Sequence, residues 1–326
     1  MTRRTARPLL AATGALALAV TLTACGSGED TAADAGKDAG ATRTVKTAMG
    51  EVKVPDAPKR VVVLDTAELD SALTLGVKPV GAVRSDAAGG FASYLPKKEL
   101  AGIENVGVIA QPNLEAIAAL KPDLILTSKV RDEARYAQLS KIAATVMTEN
   151  TGYPWKENFQ LHAEALGKQK EADRATAAYE KRTAEVTEAV GGPAKAGKTE
   201  VNVVRFVEGA DIRIYGNKNY IGTLLADVGL GRPAITDKAT DGFSYDVSPE
   251  KIDLADADVV FTATYGDPDK AKETETTKSA LWRSLNAVKS GAVHKVEDEL
   301  WIQGIGYTAA QQILDELEEA LTTTTS

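Results

Sequence analysis

The sequence predicts an α/β protein of two similar lobes with parallel sheets, joined by one long helix. Three observations carry that expectation. Apolar, β-branched runs alternate with helical patterns along the chain, the order that parallel strands with crossover helices require. A helix–turn–strand unit occurs twice. A single long helical pattern without proline separates the two halves.

The repeated unit first appears at residues 113–128, where Leu114, Ile117 and Leu120 mark one face of a short helix. Lys121-Pro122-Asp123 stops it, because the residue before a proline is pushed out of the helical region. The apolar run at 124–127 then reads as a buried strand. The unit returns at 248–263 without a gap: Glu115 falls on Glu250, Ile117 on Ile252, Asp123 on Asp258 and Thr127 on Thr262. Each lobe therefore presents a glutamate in the first turn of an equivalent helix.

The chain opens with Arg3, Arg4 and Arg7, followed by an apolar run at 9–22. That is the layout of a secretory leader, and it is too short for a membrane span. The run ends in Leu22-Thr23-Ala24-Cys25-Gly26, which resembles a bacterial lipobox. The resemblance implies a leader over 1–24 and a lipid on Cys25, with either general secretion or a twin-arginine route. Cys25 is the only cysteine in 326 residues, which excludes an internal disulfide and a thiolate metal cluster. Residues 25–44 are small and polar, without an aromatic residue, and read as a flexible tether. No later stretch reads as a membrane span. The net charge is −8, and removing the basic leader makes the remainder more acidic still, so nucleic acid is a poor partner.

The first lobe is expected over 45–157. A hairpin turns at Met49-Gly50, and a buried strand follows at 59–65. A helix carrying Leu69, Leu73 and Leu75 ends at Gly76 as its C-cap. A strand at 80–83 and the stretch 103–109 lead into the first repeated unit, and a helix at 133–143 precedes a strand at 145–148. The linking helix is expected over 158–191, rich in alanine, with pairs such as Glu171 and Arg174 at helical spacing. Gly191-Gly192-Pro193 ends it. The second lobe, 192–326, has strands at 200–206 and 212–215, a helix at 221–228, the second unit's strand at 259–262, a helix marked by Trp282, Leu285 and Val288, a strand at 292–296 and a closing helix at 308–321.

Open α/β sheets bind ligands beyond the carboxyl ends of their strands. Arg84, Lys129, Arg131 and Trp155 (beside Tyr153) follow first-lobe strands; Arg205, Tyr265 and Trp301 follow second-lobe strands. Tyr215, Tyr220 and Tyr245 lie near these ends, as do Tyr94 and Phe243. Cations and aromatics gathered between facing lobes suit a bulky ligand with apolar arms and an anionic or oxygen-rich centre. Each arginine in this set competes with a plainer role as a solvated or ion-paired loop residue. Catalysis is disfavoured by inventory. His162 and His294 lack partners at metal-ligand or triad spacing, and no phosphate loop or nucleophile elbow occurs. A secreted α/β enzyme is the reading this leaves weakest.

The chain resembles a substrate-binding lipoprotein of an ABC importer, of the class carrying ferric siderophores, haem and cobalamin. The resemblance rests on Pro58-Lys59-Arg60-Val61-Val62-Val63-Leu64, on Asn113-Leu114-Glu115 through Lys121-Pro122-Asp123-Leu124-Ile125, and on Ser248-Pro249-Glu250. The long joining helix and the region from Trp301 to Leu317 also match. Val-Val-Arg-Phe followed by Ile-Arg-Ile-Tyr-Gly looks most like the iron–siderophore branch. The resemblance implies two Rossmann-like lobes bridged by one rigid helix. It also implies a monomeric receptor held at the extracytoplasmic face of the cell membrane only through the lipid on Cys25. Its partner is an ABC permease dimer, whose arginines receive Glu115 and Glu250. Its cargo is ferric iron within a siderophore, with no cofactor or metal bound directly by the protein; haem or cobalamin is the alternative cargo. Bare Zn²⁺ or Mn²⁺ is disfavoured, since no His and carboxylate cluster occurs.

Overall fold

β-branched and leucine residues build two sheets, each parallel at its centre and antiparallel at one edge. The computed structural model describes residues 41–85 and 89–323, so the leader, Cys25 and most of the expected tether lie outside the described residues. The hairpin is present as β1 (Thr42–Thr47) and β2 (Gly50–Pro55). It begins inside the segment expected to be tether. The first sheet comprises β3 (Val61–Val63), β4 (Gly81–Arg84), β5 (Glu104–Val108), β6 (Gln111–Pro112), β7 (Leu124–Ser128) and β8 (Ala144–Thr148), in the order β6-β5-β4-β3-β7-β8. Only β5 and β6 pair antiparallel. The second comprises β9 (Val201–Val207), β10 (Ile212–Tyr215), β11 (Ser244–Val247), β12 (Val259–Tyr265) and β13 (Val293–Lys295), in the order β11-β10-β9-β12-β13. Here β9, β12 and β13 are parallel, while β10 is antiparallel to both neighbours. The connection from β9 to β10 is too short for a crossover, which leaves a hairpin as the geometry available.

Between and after the strands run α1 (Thr66–Thr74), α2 (Leu114–Ala119), α3 (Lys129–Asp132), α4 (Trp155–Leu166), α5 (Gln169–Ala189), α6 (Tyr220–Val228), α7 (Asp298–Trp301) and α8 (Tyr307–Thr323). The single linking helix expected over 158–191 is two helices. Gly167, at φ +68, closes α4 in a left-handed cap, and α5 starts afresh. Arg43 of β1 seals the break by donating to the carbonyls of Glu164 (2.7 Å) and Ala165 (3.0 Å). The helix expected around Trp282 and Val288 is likewise two short turns, broken at Leu285.

The repeated unit has a structural meaning at its aspartates. Asp123 accepts the backbone N–H groups of Lys59 and Arg60 (2.7 and 2.9 Å), just before β3. Asp258 accepts that of Glu200 (2.8 Å), just before β9. Each aspartate thus pins the central strand of its lobe beside the repeat's own strand. The helices diverge: α2 is α-helical, whereas Pro249–Ala255 is a 3₁₀ segment kinked at Lys251.

Alternation along the strands sends side chains to opposite faces. Val62 and Ile125 face the outer layer of the first lobe, and Val204, Phe206 and Val260 that of the second. Val61, Val63, Leu124 and Leu126 face inward, as do Val201, Val203 and Phe261, and all seven belong to one apolar cluster. Leu69 of α1, Phe159 of α4, Tyr179 of α5, Leu224 of α6 and Ile313, Leu314 and Leu317 of α8 complete that cluster. The lobes therefore share a core in addition to the long helix α5 that joins them. Asp70 of α1 locks this layer. Fully buried, its carboxylate accepts the N–H groups of Thr308 and Ala309 in the first turn of α8 (3.1 Å each) and the hydroxyl of Thr74 (3.1 Å). Gly306, at φ +151, lets α8 come this close: a Cβ there would lie 2.2 Å from Asp70 Oδ1.

Candidate functional site

The carboxyl ends of both sheets open onto one cavity of about 640 Å³. That volume is ordinary for a small-molecule site. From the first lobe, α1 contributes its N-cap. Asp65 is extended at the end of β3 and its Oδ1 accepts the N–H of Thr66 (2.7 Å). Arg131, on α3 after β7, donates from Nε to Asp65 Oδ2 (2.7 Å). Burial works against the Arg131 charge, but the Asp65 carboxylate outweighs it and raises the pKa above the usual arginine value.

From the second lobe, Arg205 on β9 makes a two-point pair with Asp298, Nε to Oδ1 at 2.5 Å and Nη2 to Oδ2 at 2.6 Å. Its guanidinium lies 4.9 Å from the centre of the Tyr265 ring, and Nη1 is 3.5 Å from the Tyr215 hydroxyl. Across the β9–β10 hairpin, Arg213 stands directly opposite Arg205. Its nearest carboxylate, Asp246, is 3.9 Å away. Lys218 completes the basic wall and makes no ion pair among the described residues. Two like charges directly opposite on neighbouring strands destabilise a sheet. Asp298 neutralises one of them closely, whereas Asp246, opposite Arg213 on β11, reaches the other only at long range. The lining carries four cations, Arg131, Arg205, Arg213 and Lys218, against the carboxylates of Asp65 and Asp241.

The rim is apolar. Of the four most exposed large hydrophobic residues among the described ones, Val130, Tyr153 and Phe243 all line this cavity. Asn158 of α4 holds the loop that presents Tyr153, donating to the carbonyls of Asn150 (2.8 Å) and Thr151 (3.1 Å). A basic floor under an apolar rim fits an anionic ligand with apolar arms. Among the described residues, no group of three His, Cys, Asp or Glu side chains is placed to hold a metal ion.

Of the residues singled out from sequence, Arg131, Tyr153, Arg205, Tyr215, Phe243, Tyr220 and Trp301 line the cavity. The last two mostly serve the core. The Tyr220 hydroxyl donates to the Gly306 carbonyl (2.7 Å), and Trp301 stacks on Phe261 while its indole N–H meets Glu316 (2.6 Å). The other six, Tyr94 among them, lie off the cavity lining. Trp155 is buried among Tyr179, Tyr220 and Tyr307, its indole donating to Thr223 (2.9 Å). Tyr245 sits opposite Ile214 on β11 and packs against the outer layer of the second lobe. Tyr265 lines a neighbouring hollow with Glu208, Lys295 and Glu297. Arg84 lies over the Phe91 ring (5.5 Å) and donates to the Gly89 carbonyl (3.1 Å). Lys129 is paired with Glu149 (3.1 Å) and Glu133 (3.9 Å).

Glu115 and Glu250 are exposed first-turn residues and form no ion pairs among the described residues. A hydrogen bond from Ser248 holds the Glu250 carboxyl below the usual range. Arg213, Lys218 and Asp65 were not singled out from sequence. For Arg213 a signal existed: once the β9–β10 hairpin is recognised, Arg213 must face Arg205, with Tyr215 on the same face.

The family model for periplasmic binding proteins matches residues 61–300. The probable siderophore-binding lipoprotein YfiY of Bacillus subtilis is 41% identical over 308 residues, covering 91% of this chain and 93% of the relative. The Fe(3+)-citrate-binding protein YfmC of the same organism is 28% identical, covering 88% of each. Among solved structures, Staphylococcus aureus SirA complexed with staphyloferrin B superposes with a TM-score of 0.77 at 37% identity, covering 86% of this chain and 98% of that one.

Proposed function

Because this chain belongs to the periplasmic binding protein family, we propose that it captures a ferric siderophore with anionic donor arms in the cleft between its lobes and delivers it to an ABC permease. The observation that carries the choice of cargo is the cross-strand pair Arg205 and Arg213, backed by Arg131 and Lys218. A cavity that gathers like charges at a cost in sheet stability is suited to a ligand that brings the missing negative charge. The iron is cargo, held by the siderophore's own oxygens; the protein supplies cations, hydrogen bonds and the apolar rim. Haem and cobalamin are less well supported. Two of the three tyrosines that line the cavity are already engaged, Tyr215 by Arg205 and Tyr220 by Gly306.

Tryptophan-quenching titrations test the cargo. Ferric staphyloferrin B and ferric citrate are expected to bind more tightly than a ferrioxamine-type neutral chelate, haem or cobalamin. Preference for haem or cobalamin, with no ferric chelate bound at micromolar concentration, would refute it. For delivery, the exposed and unpaired Glu115 and Glu250 are the proposed contacts with permease arginines, one per lobe. Two similar knobs suit a partner with two-fold symmetry. Reversing both charges should abolish iron uptake while leaving cargo affinity intact; a fall in affinity would place these residues in the cleft instead. A lipid on Cys25 is the proposed anchor at the outer face of the membrane.

A further inference from the structure

Arg131 and Arg205 face one cavity from different lobes, and a run of close polar contacts along its wall joins them. Arg131 Nε donates to Asp65 Oδ2 (2.7 Å). The other Asp65 oxygen lies 3.2 Å from the Thr66 hydroxyl, and that hydroxyl lies 2.8 Å from the main-chain carbonyl of Gln303, across the cleft. Gln303 Nε2 donates to Asp298 Oδ2 (2.8 Å), and Asp298 holds Arg205 with both oxygens.

Proton inventory makes this more than a scaffold. Thr66 has one hydroxyl proton and two acceptors, Asp65 Oδ1 and Gln303 O. With Arg131 satisfying Asp65, the shorter contact wins and the proton goes to Gln303. An anionic arm that draws Arg131 away leaves Asp65 as a buried carboxylate short of a donor, and such a group is costly to leave unpaired. The Thr66 hydroxyl is next to it. When it turns, the main-chain carbonyl of Gln303 loses its partner, which loosens the residue whose side chain helps hold Asp298 against Arg205. The state of one arginine is therefore felt by the other.

We propose that Thr66 and Gln303 are positioning residues that couple Arg131 to Arg205, so that cargo is read as one two-point anion and not through two independent contacts. The proposal rests on the anionic-cargo reading above, and a two-armed experiment separates the two. In the first arm, ferric staphyloferrin B is titrated against Arg131→Lys, Arg205→Lys and the double variant, each in the native, Thr66→Val and Gln303→Met backgrounds. In the native background the two losses of affinity should depart from multiplicativity by about three- to thirty-fold. In either altered background they should multiply to within about two-fold. Independent losses in the native background overturn the proposal.

The second arm needs no cargo and follows the arginine Nε–H signals by ¹H–¹⁵N NMR of the free protein. Thr66→Val should move the Arg205 signal and Gln303→Met the Arg131 signal, each from the opposite lobe. Silent signals overturn the coupling whatever binds. Coupled signals in a native protein that ignores ferric staphyloferrin B would sink the anionic-cargo reading and leave the coupling standing. If Gln303→Met fails to fold, Thr66→Val decides both arms.

Discussion

Replacing Glu68 by glutamine should make the protein's stability less sensitive to alkali, and the structure supplies the size of the effect. Glu68 lies fully buried on α1, neither carboxyl oxygen has a hydrogen-bond partner among the described residues, and His162 Nε2 of α4 is 3.8 Å away. Burial, reinforced by the charge of Asp65, pushes its pKa up to about 8 from an ordinary 4.5, while burial lowers that of His162 to about 3. The folded protein thus holds a neutral acid beside a neutral imidazole. A carboxyl whose pKa rises on folding adds stability that is complete below about 4.5 and lost progressively as the pH climbs towards 8. From pH 6 to pH 8 that loss comes to about 2 kcal/mol, at about 1.4 kcal/mol per pKa unit with the upper end already half titrated. Glu68→Gln removes it. Urea unfolding of both proteins at pH 6, 7 and 8 and fixed ionic strength should show the variant gaining about 2 kcal/mol on the native protein over that range. Any packing difference is common to all three pH values and cancels. A flat difference would mean that Glu68 is ionised in the folded state, paired with a charged His162, and the reasoning would fail.

Two further outcomes follow from the same physics. Asp70→Ala leaves two N–H groups of α8, one buried and one part-buried, without acceptors, at about 1–3 kcal/mol each, so a loss of about 2–6 kcal/mol in urea unfolding is expected; a loss below about 1 kcal/mol would show that α8 does not depend on this cap. Arg213→Met should weaken binding of ferric staphyloferrin B by about ten-fold and flatten its salt dependence, while moving stability by less than about 0.5 kcal/mol, since the lost charge stood opposite Arg205. Unchanged affinity would remove Arg213 from the cargo site.

Local chemistry made much of the architecture legible. The Val61 and Val201 strands, the Gly76 cap and the paired Asp123 and Asp258 all announce themselves through β-branching, glycine conformation or spacing. Gly167 was legible too, but its effect on the helix was masked by the strong helix formers on either side. The hairpin that makes β10 antiparallel went unread because nothing in Ile212–Tyr215 itself distinguishes a parallel from an antiparallel partner. At the site, position after a strand located Arg131 and Arg205, and by the same rule Arg84 and Lys129, which turn to Phe91 and Glu149 instead. What separates the two pairs is the neighbour each finds: Arg131 and Arg205 meet aspartates 66 and 93 positions away, a pairing that no local pattern announces. Trp155 shows the same limit: an aromatic after a strand looked like a cleft wall, while three tyrosines from distant helices had already enclosed it.

The core common to both lobes bears on how long cargo stays bound. A receptor whose halves swing apart sheds its ligand by opening, whereas one whose halves are fused through α1, α5 and α8 keeps its mouth at nearly constant width. Its residence time is then set by the contacts alone. At an ordinary association rate of about 10⁷ M⁻¹s⁻¹, a nanomolar complex persists for about 100 s. Under the proposed delivery to a permease, import faster than that requires the membrane partner to strip the cargo out.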